Sequence, residues 1–138
     1  MQALGLSGSG LGYASLPSSL AVEFDMHQDT KVGDPNDNHV SIHAAGFLAN
    51  AADEVPPVGV SECSGGLWYR LLPGPSLKDS NQHKATVEYV GGRLLIYVDN
   101  DATPALACTV DFNLAMGVSC TCSVRGVVVR VRCDLARV

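Results

Sequence analysis

No stretch of this chain approaches the roughly 18 consecutive apolar residues of a membrane span. Basic residues are also few: nine Lys and Arg against fourteen Asp and Glu, a net charge of -5 over 138 residues. Phosphate binding needs a basic surface, so this balance argues against a nucleic-acid partner. Neither C-x-x-C nor a zinc-finger spacing occurs. The five cysteines (Cys63, Cys108, Cys120, Cys122 and Cys133) are an odd number, awkward for a disulfide scaffold. The redox compartment is therefore not legible from cysteine alone. Cys120-Thr-Cys122 could hold a soft metal, but a strand with both thiols on one face is the simpler reading. The opening MQALGLSGSGLGY lacks the basic region and apolar run of a signal peptide. Asn50, Asn81, Asn100 and Asn113 do not begin an N-x-S/T acceptor.

What is present is apolar content of 46%, enough for a core, in a length that allows one domain. Charge is uneven. Residues 1 to 114 hold thirteen acids and five bases, whereas the last fourteen residues hold Arg125, Arg130, Arg132 and Arg137 against Asp134 alone. Arginines alternating with valine read as a solvated strand face. The acid-rich part suits a cation or a sugar better than a phosphate.

Almost no segment carries a 3.6-residue apolar period. Short alternating runs broken by Gly, Pro, Asn and Asp predict an antiparallel all-β protein. In the first strand Leu20, Val22 and Phe24 share one face, while Ala21, Glu23 and Asp25 share the other. Gly33-Asp34-Pro35-Asn36 marks a turn. In the next strand Val40 and Ile42 oppose His39, Ser41 and His43. Residues 44 to 65 read as irregular. Further strands are expected near Trp68–Leu72, at Lys84–Val90 and Arg93–Asp99 around a Gly91-Gly92 hairpin turn, at Ala105–Phe112 and at Val127–Cys133. Trp68 reads as core, and His43 and His83 as exposed, with His43 otherwise a partner of a metal ligand.

The first two strands and their loop gather Glu23, Asp25, Asp29, Asp34, Asp37 and His39 within seventeen residues. Carboxylates this close repel one another, and a bound cation is the usual remedy. If the strands pair antiparallel, Glu23, Asp25 and His39 face one another and the loop returns Asp29 and Asp34 over the same edge. A mixed carboxylate and imidazole set suits Mn²⁺ or another first-row ion. An all-oxygen set with a loop carbonyl suits Ca²⁺. The bland alternative is an acidic loop that is merely solvated.

The segments VEFD and GDPNDNHVSIH resemble the metal-binding stretch of the legume-type (L-type) lectins, the concanavalin A-like jelly-roll sandwiches. The similarity runs without gaps from Leu20 to His43. It continues more weakly through HKATVEYVGGRLLIYVDN and PALACTVDFNL, covering roughly residues 8 to 114. The resemblance implies an all-β, antiparallel concanavalin A-like jelly-roll β-sandwich. Residues 1–114 would form a partial lectin-like domain and 115–138 a divergent tail. The family's upstream segment would precede Met1, and its later strands and sugar loop would follow Leu114. Glu23, Asp25, Asp34 and His39 match the family's transition-metal (Mn²⁺) ligands. Asp25, Asp29, Asp34 and the backbone carbonyl of His27 match its Ca²⁺ ligands. The implied function is non-catalytic carbohydrate binding, with His27 and Asp29 at the sugar and the ions fixing the loop beforehand. The implied setting is extracellular or the secretory lumen, with oligomeric state open. Two positions depart from the family. Asp29 stands where Asn is usual, keeping a ligand oxygen but losing an NH₂ donor. His27 stands where a larger aromatic ring often stacks on sugar.

Two alternatives belong to other classes. Laminarinase and lichenase-type hydrolases on the same architecture use E-x-D-x-x-E. Here Glu23-Phe24-Asp25-Met26-His27-Gln28 breaks at Gln28, and an amide cannot shuttle a proton. The other alternative is a structural remnant that binds neither metal nor sugar.

Overall fold

The computed structural model describes residues 5–73, 76–99 and 102–117, together with the backbone of 129–135. Its strands in chain order are β1 (Leu20–Asp25), β2 (His39–Ala44), β3 (Val60–Ser61), β4 (Tyr69–Leu71), β5 (His83–Val90), β6 (Arg93–Val98), β7 (Leu106–Val110) and β8 (Val129–Leu135). A short 3-10 turn at Gly8–Gly10 and a four-residue helix α1 (Phe112–Ala115) complete the described set. Two antiparallel sheets result, in the orders β1-β2-β4 and β3-β7-β6-β5-β8. The all-β antiparallel expectation agrees with this sandwich.

The core is aliphatic. Val40, Ile42 and Ala44 of β2 pack with Leu94 and Ile96 of β6 and with Leu106, Cys108 and Val110 of β7. Leu20, Val22 and Phe24 of β1 lean on the same cluster. These are the residues that period-2 alternation puts on one face. Gly91 and Gly92 both have positive φ (58° and 83°), the backbone a two-residue hairpin turn needs, and they join β5 to β6 as expected.

Three local readings are corrected. The stretch 44–65 is not wholly irregular: β3 pairs with β7, Val60 opposite Val110 and Ser61 opposite Thr109. Two residues carry too little alternation to register in a sequence. A disulfide between Cys63 and Cys108 fastens the loop after β3 to β7. The Cys120-Thr-Cys122 pair lies outside the described residues. Third, His43 and His83 are buried, at 2% and 5% exposure, because each meets carboxylates from elsewhere in the chain.

The last expected strand is present two residues later than alternation predicts. β8 pairs antiparallel with β5, Val131 opposite Val87. A strand from the 115–138 segment thus adds an edge to the larger sheet.

His83 provides a testable pH effect. Its Nδ1 lies 2.7 Å from Asp99 Oδ2 and its Nε2 lies 3.0 Å from Asp79 Oδ1. Two carboxylates on two ring nitrogens call for the imidazolium. The hydrogen bond to Asp99 does most to raise the His83 pKa, against burial and with help from Asp79. A raised folded-state pKa gives stability that is fully present below the unfolded value near 6.5 and is lost as pH rises through the folded value. His83→Gln should therefore lower the urea midpoint more at pH 5.5 than at pH 9. An equal drop at both pH values would contradict the imidazolium assignment.

Candidate functional site

The antiparallel register sets the site. Asp25 pairs with His39, Glu23 with Ser41 and Ala21 with His43. Glu23 and Asp25 therefore share a face with His39, Ser41 and His43. This polar face is buried, not solvated. His39 and Ser41 are fully buried, and Glu23 and Asp25 are nearly so. The N-terminal segment contributes Tyr13, whose hydroxyl donates to Glu23 Oε2 at 2.6 Å. The segment before β3 contributes Glu54, tied to the loop by its N–H donating to the Val32 carbonyl at 2.8 Å.

Two groups of possible metal ligands form on this face. Asp25, Asp34 and His39 each offer one atom, all mutually within 4.8 Å, and so do Glu23, His43 and Glu54. The expected set of six is thus distributed. Asp25, Asp34 and His39 converge, whereas Glu23 belongs to the neighbouring group. Its Oε2 lies 2.8 Å from His43 Nε2. Asp29 and His27 sit at the rim. His27 is exposed and Asp29 is half-buried.

The buried carboxylates already shape the loop. Asp25 Oδ1 accepts the His27 N–H at 2.6 Å, and Asp34 Oδ2 accepts the Asp29 N–H at 2.5 Å. Asp29 Oδ1 accepts the Lys31 N–H at 3.0 Å. Gln28 Nε2 donates to the Asp34 carbonyl at 3.3 Å. Each acid at the centre therefore holds one rim residue by its amide.

The electrostatics are unsettled without a counter-charge. Burial, then the nearby Asp25 carboxylate, push the Asp34 carboxyl above its usual range, although the Asp29 N–H opposes this. In the second group burial works against ionised Glu54, but the facing imidazoles of His39 and His43 hold its carboxyl down at about 2. His43 is likewise penalised by burial, yet hydrogen bonds to Glu23 and Glu54 lift it to about 9. Burial and the Glu23 carboxylate raise the Tyr13 hydroxyl. His39 is raised by Glu54 and Asp25 in spite of its burial.

His39 is posed as a ligand. Its Nδ1 lies 3.0 Å from the Asn36 carbonyl, which places a proton on Nδ1 and turns Nε2 toward Glu54 Oε1, 3.4 Å away. That Nε2 is buried without a hydrogen bond. Glu54 Oε1 is the other buried polar side-chain atom so placed among the described residues. Above the centre a cleft of about 330 Å³ is lined by Leu11, Glu23, Asp25, His27, Asp29 and Asp34 among others. A second hollow of about 460 Å³ shares Leu11, Asp25 and His27 and extends past Phe24, Met26 and Asn81.

Sequence reasoning missed Tyr13 and Glu54. Neither sits in a periodic run, and folding brings each to the site from a loop. Trp68 carried a partial signal: its Nε1 donates to Glu54 Oε2 at 3.0 Å.

Two curated proteins of Arabidopsis thaliana are similar to this chain, and both are named lectin-like. One is 38% identical over a 98-residue alignment covering 60% of this chain and 32% of its own length. The other is 26% identical over a 129-residue alignment covering 78% of this chain and 49% of its own length. The chain thus spans between a third and a half of the curated relatives it matches. No family model matches it. No solved structure matches it either. By sequence, the chain is similar to proteins named lectin-like over part of their length.

Proposed function

We propose that this chain binds carbohydrate without catalysis, and that a divalent cation held by Asp25, Asp34 and His39 orders the loop that meets the sugar. The observation that carries the cation is the fully buried His39 Nε2, which makes no hydrogen bond and lies beside two buried carboxylates. A buried nitrogen without a hydrogen bond is costly, and a cation would satisfy it while neutralising the two carboxylates. Imidazole with carboxylate favours Mn²⁺ or a similar ion. Asp29 and the His27 carbonyl, at the rim of the same loop, would complete an oxygen-rich Ca²⁺ set with Asp25 and Asp34. The ion supplies fixed positive charge. Asp25 and Asp34 transmit it to the rim by holding the His27 and Asp29 amides.

The lectin-like names of the relatives support the sugar. The His27 ring is exposed for stacking, and the Asp29 carboxylate can accept from sugar hydroxyls. The position that breaks the hydrolase pattern favours the non-catalytic reading, since the Gln28 amide braces the loop at the Asp34 carbonyl. The disulfide between Cys63 and Cys108 supports an extracellular or secretory-lumen setting, where such bonds persist. No helix among the described residues is long and apolar enough to cross a membrane.

A glycan array probed in Ca²⁺ and Mn²⁺, and again in EDTA, tests the reading. Binding should vanish in EDTA and return when the ions are restored. His27→Ala should weaken the best glycan about tenfold, the loss of one modest stacking contact, and leave cation uptake unchanged. Glycan binding that is indifferent to EDTA would overturn the cation's role. Cation uptake with no glycan bound would remove the sugar.

A further inference from the structure

We propose that the sugar this chain binds carries a flat apolar aglycone, seated in the hollow of about 460 Å³ beside the sugar cleft, so that the ligand class is an aryl glycoside. The inference rests on the sugar reading above and extends it. The hollow and the cleft of about 330 Å³ share Leu11, Asp25 and His27. A sugar at the His27 and Asp29 rim therefore has its neighbouring substituent led into the hollow.

Three segments build the apolar wall. The N-terminal segment supplies Leu11, β1 and the residue after it supply Phe24 and Met26, and the loop before β5 supplies Leu77. Such a wall offers sugar hydroxyls few partners, whereas it removes an aromatic ring from water. It is also fixed before any ligand arrives. The Leu77 N–H donates to Asn38 Oδ1 at 3.0 Å, and Asn38 Nδ2 donates to the Leu72 carbonyl at 3.3 Å. Lys78 Nζ lies 3.2 Å from Asp37 Oδ2 and ties the same loop to the one between β1 and β2. A wall held in this way needs little ordering when the ligand binds.

Leu11 is the independent observation. Its φ is 41°, in the left-handed region that a bulky side chain rarely adopts. Its N–H donates to the Gly8 carbonyl at 3.0 Å and closes the 3-10 turn. Glycine or asparagine would make that turn with less strain. Leucine instead puts a large apolar group, 55% exposed, at the junction of the two hollows. The core gains little from a side chain so exposed. An aromatic ring lying across the junction would cover it.

Methyl and phenyl glycosides of the same monosaccharide test the proposal. Glucose, mannose, galactose and N-acetylglucosamine are each tried in both anomers, by calorimetry on the chain loaded with Ca²⁺ and Mn²⁺. For the sugar that binds, the phenyl glycoside should bind about tenfold tighter than the methyl one. Met26→Gln should remove most of that preference and keep the methyl affinity, because Met26 lines the hollow and not the cleft. The retained methyl affinity certifies that the variant is folded. Leu11→Asn, which suits the left-handed backbone, should also reduce the preference. Equal affinity for methyl and phenyl glycosides would overturn this inference and leave the sugar reading standing. So would a preference that survives both substitutions. A methyl disaccharide that binds tighter than the phenyl glycoside would make the hollow a second sugar subsite and end the aryl assignment. Binding of no glycoside in either series would remove the sugar reading and this inference with it.

Discussion

Replacing Asp34 with asparagine should make the cation-free chain at least as stable at neutral pH and abolish the stabilisation that Ca²⁺ or Mn²⁺ gives. The two effects have one cause. The Asp34 carboxyl is buried beside Asp25, and its pKa is raised. For an acid raised on folding, the unfolded chain gives up its proton first. Stability is therefore lost as pH climbs from the ordinary carboxylate value through the folded one. An amide has no proton to lose and no charge to repel. Its oxygen can still accept the Asp29 N–H that Asp34 Oδ2 now accepts at 2.5 Å. The variant removes like-charge repulsion and keeps the brace. With cation present the balance reverses, because a charged ligand to a divalent ion is gone. A loss of about 100-fold in affinity, or about 2.8 kcal/mol, is the expected scale. Ligand-induced stabilisation follows the ratio of concentration to Kd, so at a fixed excess the cation-dependent rise in Tm should shrink or disappear. Thermal melts of the native chain and the variant, each with EDTA and with excess cation, give four numbers. A variant that still gains as much Tm from cation as the native chain would remove Asp34 from the centre.

The parts of this centre that lie on neighbouring strands are legible in the sequence. Alternation alone puts Glu23 and Asp25 on one face of β1 and His39, Ser41 and His43 on one face of β2. Antiparallel pairing then brings Asp25 opposite His39. The division into two groups is not legible. Glu54 is 31 residues from Glu23 and sits in a stretch with no period, yet it groups with Glu23 and His43. Burial of the polar face was equally hidden. It depends on cover from Tyr13 and Glu54, whose loops carry no directional signal. His83 looked solvated for a similar reason: Asp79 and Asp99 are turn residues, and only the closed fold puts them on both sides of its ring.

Cysteine pairing fails to emerge from sequence for a different physical reason. Five thiols permit many pairings, and the odd count favours none. Only the approach of the loop after β3 to β7 selects Cys63 with Cys108. Reduction, or the double substitution Cys63→Ala with Cys108→Ala, should therefore be strongly destabilising. The bond closes a sequence separation of 45 residues. By the chain-entropy argument a loop of that size contributes about 4 kcal/mol, mostly by restricting the unfolded chain. The neighbourhood gives little to replace it. β3 is two residues long. Beyond its short ladder with β7, its ties include Ser64 N–H to the Ala107 carbonyl at 2.7 Å, Ala107 N–H to Ser64 Oγ at 3.0 Å, Asp111 N–H to the Gly59 carbonyl at 2.8 Å, and Thr109 Oγ1 to Glu62 Oε2 at 2.9 Å. Such bonds are worth about 1 kcal/mol each at most when solvent competes for them. At a urea dependence of about 2 kcal/mol per molar, the midpoint should fall by about 2 M. The same change should reach the His39 and His43 imidazoles, since the freed segment leads back to Glu54. Cation uptake should weaken little by comparison, because Asp25, Asp34 and His39 lie on β1, β2 and the loop between them. An unchanged urea midpoint after reduction would show that the bond does not stabilise the fold. A stable double variant whose His39 and His43 imidazole signals are undisturbed would show that the segment before β3 is held by its other contacts.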